Sequence, residues 1–537
     1  MLAVGVVPTA LLAQAGDQEF LAALAALSEA SFLDKEAIVE RLVATGHAST
    51  RPTLTAFLED RLFVRQQDQQ VFVVKSTDDT LEAFELVDPL SLEDAGSAPP
   101  TDLTKIGTNN RLRRFLRVTV ARFALSNPSP VVRLDAVKEM MRTLDEGTIS
   151  LLQQRVGVET DPGVKGEIET GLALGALDGG DPTSRVAAIA MLAHRLRPEV
   201  RNRLAAMLER SADGRFVESD EEVRRAAADA VRRIDRSRIF YSGIETLFFG
   251  LSLGSVLVLA ATGLAITFGV MGVINMAHGE LMMLGAYTTY VVQLAMPNHI
   301  GASILAAIPA AFVVAGLAGV VLERTIIRFL YSRPLETLLA TFGVSLVLQQ
   351  LVRSIFSANN RAVETPAWMS GTLQLNEALS ITLNRLYIVF FTLIVFAILL
   401  MVLKRTRLGL NIRAVSQNRA MAQAMGIRSE WVDAMTFGLG SGIAGVAGVA
   451  LSQLTNVGPN LGQAYIIDSF MVVVFGGVGN LWGTLIGGMS LGIVNKLLEP
   501  YAGAVLGKIL VLVVLILFIQ RRPRGLFPQA GRAAESQ

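Results

Sequence analysis

The sequence predicts an all-α protein in two parts: a soluble N-terminal domain of helical repeats, then a polytopic α-helical membrane domain. The second part has about eight to nine spans, one of them a broken or half-helix. Three observations predict this. Of 537 residues, 51% are hydrophobic, which puts at least part of the chain outside the soluble globular class. The composition changes sharply near residue 240: "ESDEEVRRAAADAVRRIDRSR" (218–238) is more than half ionic. Uncharged stretches then run over 246–277, 281–298, 300–322, 337–352, 386–403, 435–467, 469–495 and 509–520. A spanning helix needs about 20 mainly apolar residues, and several of these meet that length. Finally, the polar first part repeats one helical grammar.

The elements follow in order. "MLAVGVVPTALLAQAG" ends an apolar run in Ala13-Gln14-Ala15, so 1–15 is expected to be a signal peptide. No Lys or Arg precedes Lys35, and the alternative is an amphipathic helix. Residues 16–240 form the first domain, expected outside the cytoplasm. Within it "LFVRQQDQQVFVVK" (62–75) predicts a short hairpin. From 127, "NPSPVVRLDAVKEMM", "ETDPGVKGEIETGLALGAL", "GGDPTSRVAAIAML" and "SDEEVRRAAADAVRRI" each place an Asp, Ser or Pro turn before small and apolar residues at helical spacing. The turn caps the helix and the stripe packs. The pattern resembles HEAT-type repeats, which stack because one helix pair cannot bury its own apolar face; the alternative is a non-repetitive bundle. His47 and His194 stand alone and are read as structural or solvated.

Net charge is +1, which gives no electrostatic case for nucleic acid. The chain has no cysteine, which excludes disulfides, Cys-based zinc sites and thiol nucleophiles. "GAVLGKIL" (503–510) imitates a phosphate loop, but it is one residue short between its glycines and has Ile509 where Ser or Thr is needed.

The membrane domain is placed at 241–525, with 526–537 as a cytoplasmic tail. Its spans are expected near 246–270, 280–297, 300–322, 336–356, 386–403, 433–454, 466–477, 481–497 and 506–520. Three basic segments should be cytoplasmic: Arg324, Arg328 and Arg333; Lys404 to Arg428; and Arg521, Arg522 and Arg524. Parity between them makes the short piece near 466–477 a half-helix and puts the N-terminal domain outside. Arg232, Arg233, Arg236 and Arg238 run against the rule, but a folded exported domain translocates regardless of charge.

Polar residues inside apolar segments mark the candidate pathway: Asn275, His278 and Glu280 in "GVMGVINMAHGELMMLGAY", with Gln349, Gln350 and Asn480. Such groups are costly at membrane depth and either line a wet cavity or cap a helix. Gly438, Gly442 and Gly445 stand at close-approach spacing. Gly476, Gly477 and Gly479 break an apolar run. Asp468 either serves the pathway or caps the half-helix. The loop "KRTRLGLNIRAVSQNRAMAQAMGI" (404–427) is basic and amphipathic, with Ala420, Ala424 and Met425 able to share a face. It suits a short surface helix set into a partner's groove.

"GLAITFGVMGVINMAHGELMMLGAY", "GLNIRAVSQNRAMAQAMGI" and "VVVFGGVGNLWGTLIGG" together resemble the LivH-type permeases of branched-chain amino-acid ABC importers, over 241–525. The N-terminal extension and "NNRLRR" (109–114) are similar to the urea-importer (UrtB) branch. The resemblance implies a LivM/UrtC-like second permease, two ABC ATPase subunits and a periplasmic substrate-binding protein, assembled in the lipid of the bacterial inner membrane. It implies that Gly409, Arg413, Asn418, Ala420, Ala424, Met425 and Gly426 belong to the ATPase-coupling loop. ATP and Mg would be bound by the ATPases, with no cofactor on this chain, and the mechanism is alternating access without covalent chemistry. Urea is the solute this branch implies. The alternatives are a branched-chain amino acid or other small polar solute, and a membrane-anchored interaction scaffold.

Overall fold

The computed structural model describes residues 9–527, apart from 33, 78–82, 143, 211–213 and 332. The start of the expected signal peptide and most of the expected tail lie outside the described residues. The chain divides into two compact units, Met1–Ile234 and Asp235–Gln537.

The first unit opens with α1 (Thr9–Glu29), α2 (Asp34–Ala44) and α3 (Thr50–Leu58). Five strands follow: β1 (Leu62–Arg65), β2 (Val71–Val74), β3 (Phe84–Val87), β4 (Asp94–Ala98) and β5 (Leu103–Lys105). They make one antiparallel sheet in the order β4-β3-β2-β1-β5, with Leu62 opposite Val73. This corrects the all-α expectation. Alternation along the strands makes both sheet faces apolar. Leu62, Val64, Val71 and Val73 pack with Phe20, Leu24, Phe57 and Leu116. Phe63, Phe72, Val74, Phe84 and Leu86 form a separate core on the other face.

Among the described residues the helices that follow are α4 (Asn110–Ala124), α5 (Pro130–Met140), α6 (Glu146–Val156), α7 (Pro162–Ala176), α8 (Pro182–Leu192) and α9 (Pro198–Ala206). Local chemistry starts them. Asn109, Asp145, Asp161 and Asp181 accept backbone N–H bonds at the N-caps of α4, α6, α7 and α8, each worth about 1 kcal/mol. Proline opens α5, α7, α8 and α9, where its missing N–H costs nothing. Buried Glu159 accepts from Arg133 Nη2 at 2.7 Å and Arg155 Nη2 at 3.1 Å, tying α5 and α6 to the turn before α7.

α10 (Glu221–Met271) gives Val223, Ala227, Ala230 and Ile234 to the first unit's core, and Val256 to Ile266 to cores of the second. The second unit continues with α11 (His278–Ala295), α12 (Ile300–Thr325), a 3-10 turn (Ile327–Leu330) and α13 (Pro334–Phe356). A hairpin follows, β6 (Thr372–Asn376) and β7 (Leu379–Thr382). Then come α14 (Leu383–Arg405), α15 (Arg407–Gln417), α16 (Arg419–Ala424), α17 (Ser429–Ser452), α18 (Leu461–Gly476) and α19 (Leu481–Arg521).

Among the described residues, six helices are by length and composition able to cross a membrane: α10, α12, α13, α14, α17 and α19. The nine pieces expected become six such helices, for three physical reasons. α11 opens on His-Gly-Glu, which lowers its hydropathy. α18 has 16 residues, about 24 Å of helix. α19 is one element of 41 residues that reverses at Gly503, where φ is 75°. Past that point a β-carbon on Gly507 would lie 3.7 Å from that of Leu498, and the ring of Phe518 meets that of Phe475 edge to face, centroids 5.1 Å apart. The second arm of α19 therefore runs back beside α18.

α10, α11 and α17 form the buried centre, and they approach through glycine. A β-carbon on Gly285 of α11 would lie 2.0 Å from the carbonyl oxygen of Gly445 on α17, and one on Gly448 would lie 2.0 Å from that of Met282. Such contacts let backbones touch where hydrophobic burial drives little association. Gly438, Gly442 and Gly445 meet Val320, Phe312 and Ala311 of α12. The outer helices show apolar faces such as Leu335, Leu339, Phe342 and Leu346 of α13.

Candidate functional site

The site begins with a broken helix. Gly272 takes φ +66° and ends α10. A β-carbon on Gly263 would lie 2.9 Å from His278 Cε1, so His278 sits beside a residue eight positions before the end of α10. That is about 12 Å back along the helix. Residues 272–277 therefore fold back into the bundle, and α11 starts partway along it. α18 starts beside it, since a β-carbon on Gly279 would lie 2.5 Å from the carbonyl oxygen of Gly462. Two helix N-termini, each a partial positive charge, converge there.

The side chains at this junction are sealed. Asn275 and His278 are fully buried and Glu280 is 1% exposed. Asn275 Oδ1 accepts the Ala277 N–H at 3.0 Å, turning the chain into α11. His278 Nε2 donates to the Ala260 carbonyl at 2.8 Å, which leaves Nδ1 as an acceptor. Glu280 Oε1 accepts from Ser345 Oγ at 2.9 Å and from Gln349 Nε2 at 2.8 Å. Asn275 Nδ2, His278 Nδ1 and Glu280 Oε2 have no partner among the described residues. Buried polar groups are nearly always paired, so three such atoms at one junction make it the candidate site.

The structure thus brings Asn275, His278, Glu280 and Gln349 to one junction, and adds two residues that sequence reasoning missed. Thr341 accepts the Met276 N–H at 3.1 Å, and Ser345 holds Glu280. Their signal was the spacing: Thr337, Thr341, Ser345 and Gln349 recur every four residues along α13 and are all buried. Gln350 is exposed. Asn480 lies elsewhere. Its Oδ1 caps α19 by accepting the Gly483 N–H at 3.1 Å, and Nδ2 donates to the Phe527 carbonyl. It belongs to the α18–α19 turn with Gly476, Gly477 (φ +103°) and Gly479 (φ +78°), and Gly476 and Gly483 pack backbone to backbone. Asp468, within α18, pairs with Lys508 at 2.9 Å rather than capping a helix end.

A second constellation lies at the basic end of the unit, where α12 and α14 finish and α13 and α17 begin. Thr406 caps α15 by accepting the Gly409 N–H at 3.2 Å, and Arg413 Nη1 donates to the Leu403 carbonyl at 2.9 Å. Glycine at 409 is required, because a β-carbon would sit 2.1 Å from the Leu403 oxygen. Asn418 Oδ1 caps α16 by accepting the Met421 N–H at 3.0 Å. Gly426 (φ +86°) follows α16, and the Ile427 N–H reaches back to the Ala422 carbonyl, a common helix stop. Ala422 faces inward, whereas Ala420 and Ala424 are exposed and Met421 and Met425 are 61% and 77% exposed. A short helix thus presents methionines and alanines outward, a face suited to a groove in another protein.

Residues 246–519, all in the second unit, match the family "Branched-chain amino acid transport system / permease component". The chain belongs to this family, as a multi-pass ABC-type permease subunit of the LivH type. The permease LivH of Salmonella typhimurium (strain LT2) is 31% identical over 301 residues, covering 54% of this chain and 97% of LivH. LivH of Escherichia coli (strain K12) is 32% identical with the same coverage. BraD of Pseudomonas aeruginosa is 29% identical over 299 residues, covering 53% and 96%. No solved structure matches. Permeases of this family are transport subunits without catalytic or ATPase activity of their own, and membership implies an importer with a second permease, ATPase subunits and a substrate-binding protein.

Proposed function

We propose that this chain imports a branched-chain amino acid through a pathway that opens at the junction of α10, α11, α13 and α18, driven by ATPases docked on α15 and α16. The observation that carries the solute is the charge pattern at the junction. Glu280 offers an unpartnered carboxylate oxygen beside two converging helix N-termini. A negative group next to positive helix ends complements a zwitterion, with the ammonium on Glu280 and the carboxylate on backbone N–H groups. Neutral urea needs neither. The relatives' names also favour branched-chain amino acids. The urea expectation rested on the N-terminal extension, which lies outside the family match and supplies no substrate chemistry.

The basic loops place α15, α16 and the C-terminus in the cytoplasm; with α11 crossing as well as α10 and α12 before Arg324, and the two arms of α19 crossing separately, the first unit falls on the periplasmic side of the inner membrane. Alternating access would unseal Asn275, His278 and Glu280 as the ATPases move α16. The test is uptake of labelled leucine and labelled urea in cells with and without the chain. Loss of leucine uptake alone supports the reading, and loss of urea uptake alone overturns it. Ala424→Asp, on the exposed face of α16, should abolish uptake and ATPase association while leaving membrane insertion intact. Normal uptake in that variant would favour a scaffold.

A further inference from the structure

The basic end of the second unit holds a buried ionic joint that the transport pathway does not use. Asp433 of α17 is fully buried, and Arg419, the first residue of α16, ion-pairs with it. The same guanidinium lies 5.1 Å from the centre of the Tyr331 ring, within cation–π range. Tyr331 donates its hydroxyl to Glu323 Oε1 at 2.9 Å, and Glu323, near the end of α12, is 1% exposed. The ring also packs in a cluster with Val273, Ile327 and Phe437. Val273 belongs to the segment 272–277 that sets His278 and Glu280. Next along that segment, Asn275 and Ala277 face Leu322, Ile327 and Thr341 across a gap too small for a water molecule. One arginine on α16 therefore touches α17 directly and, through one tyrosine, both α12 and the broken segment.

Stability does not explain this arrangement. A buried ion pair is often no more stabilising than apolar residues of the same size. This one is incomplete as well: Asp433 Oδ1 and Glu323 Oε2 have no hydrogen-bond partner among the described residues, and the Arg324 guanidinium comes only within 3.8 Å of Glu323 Oε2. Asp433 pairs with an arginine that is 42% exposed, and Glu323 reaches that arginine only through Tyr331. α16 has little other hold on the bundle, since among its residues only Ala422 is buried. Beyond it, Gln423 reaches Ser429 at 2.6 Å. An under-satisfied polar link between a loosely held surface helix and a tightly packed core has two accessible arrangements, made and broken, as a coupling element requires.

We infer that Arg419 is the positioning residue through which α16 moves the pathway: its pairing with Asp433 and its seat on Tyr331 transmit displacement of α16 to α12, α17 and segment 272–277. The inference rests on α16 being the ATPase-docking helix. The experiment uses the whole importer reconstituted in proteoliposomes with its substrate-binding protein, and reads ATP hydrolysed per labelled leucine imported. Arg419→Met should keep ATPase association and hydrolysis while that ratio rises about 2- to 30-fold, the span expected for a coupling residue that contacts no ligand. Exchanging the charges, Arg419→Asp with Asp433→Arg, should bring the ratio back toward the native value, which a merely structural role would not produce. If Arg419→Met fails to assemble, Asp433→Asn takes its place with the same expectation. An unchanged ratio, or a raised ratio that the exchange does not lower, overturns the inference. The docking reading fails separately, if Ala424→Asp leaves the ATPases bound.

Discussion

Gly285→Ala tests whether α11 and α17 pack as described and whether that packing sets the junction. The added β-carbon would meet the Gly445 oxygen at 2.0 Å, its Cα at 2.5 Å and its carbonyl carbon at 2.6 Å. These are backbone atoms of a helix and cannot rotate away. A carbon settles over a carbonyl oxygen at about 3.3 Å, so from 2.0 Å the helices must part by about 1.3 Å. A gap of ~0.5–1 Å already forfeits a quarter to a half of each dispersion contact across an interface, and overpacking of this kind costs about 1–3 kcal/mol. Glu280 lies five residues earlier on α11 and is held by Ser345 and Gln349 at 2.9 and 2.8 Å. A shift of that size carries both past the ~3.5 Å limit of a hydrogen bond. The apparent unfolding midpoint in detergent should fall by several degrees and leucine uptake should fall with it. Gly343→Ala on α13 is the control, because nothing lies within 4 Å of its would-be β-carbon and alanine favours the helix by about 1 kcal/mol. If Gly285→Ala matches Gly343→Ala in midpoint and uptake, the close approach is wrong.

Three further outcomes are expected. Hydrogen bonds from Arg133 hold the Glu159 carboxyl at about 2 against its burial. Because the folded value lies below the ordinary 4.5, the stabilisation is present above that pH and lost as pH falls toward 2. The stability gap between the native chain and Glu159→Gln, read by hydrogen exchange in α5 and α7, should close over that window; a gap constant with pH would refute the assignment. Lys508→Met should strand the buried Asp468 carboxylate and lower the unfolding midpoint, and adding Asp468→Leu should recover much of the loss; a double variant as unstable as the single would show that the pair is needed for more than charge balance. Gly409→Ala should push α15 off the end of α14 and weaken ATPase association in a pull-down, and native-level association would show that the tight turn is dispensable.

The long apolar helices were legible because membrane solubility writes itself into unbroken runs of residues. The span number was harder, since it depends on where helices begin and break: the reversal of α19 at Gly503 falls in the gap expected between 497 and 506, whereas α11 begins within the bundle. The five-stranded sheet was legible only at β1 and β2. β4 reads "DAGSA" and carries no apolar alternation, and its place depends on pairing with β3. At the junction, Asn275, His278 and Glu280 stood out as polar interruptions. Ser345 and Thr341 did not, because hydroxyl residues are common in apolar helices and only their four-residue spacing with Gln349 betrays a shared face. The grouping of Asn480 with them shows the converse limit: a residue type can suit a site, but its place across the bundle depends on which helices pack together. The link from Arg419 to Asp433 and Tyr331 was hidden for the same reason.

The most direct test of the central claim is thiol labelling at Ser345→Cys. The chain has no native cysteine, the substitution is nearly isosteric, and Ser345 is 4% exposed beside Glu280. In the reconstituted importer this chain should resist a small water-soluble methanethiosulfonate reagent at rest. It should become labelled when ATP and leucine-loaded binding protein drive turnover, and excess leucine should slow the labelling. A cysteine that stays unmodified throughout turnover, in a complex that still transports, would contradict the account and make the Glu280 junction a structural cap.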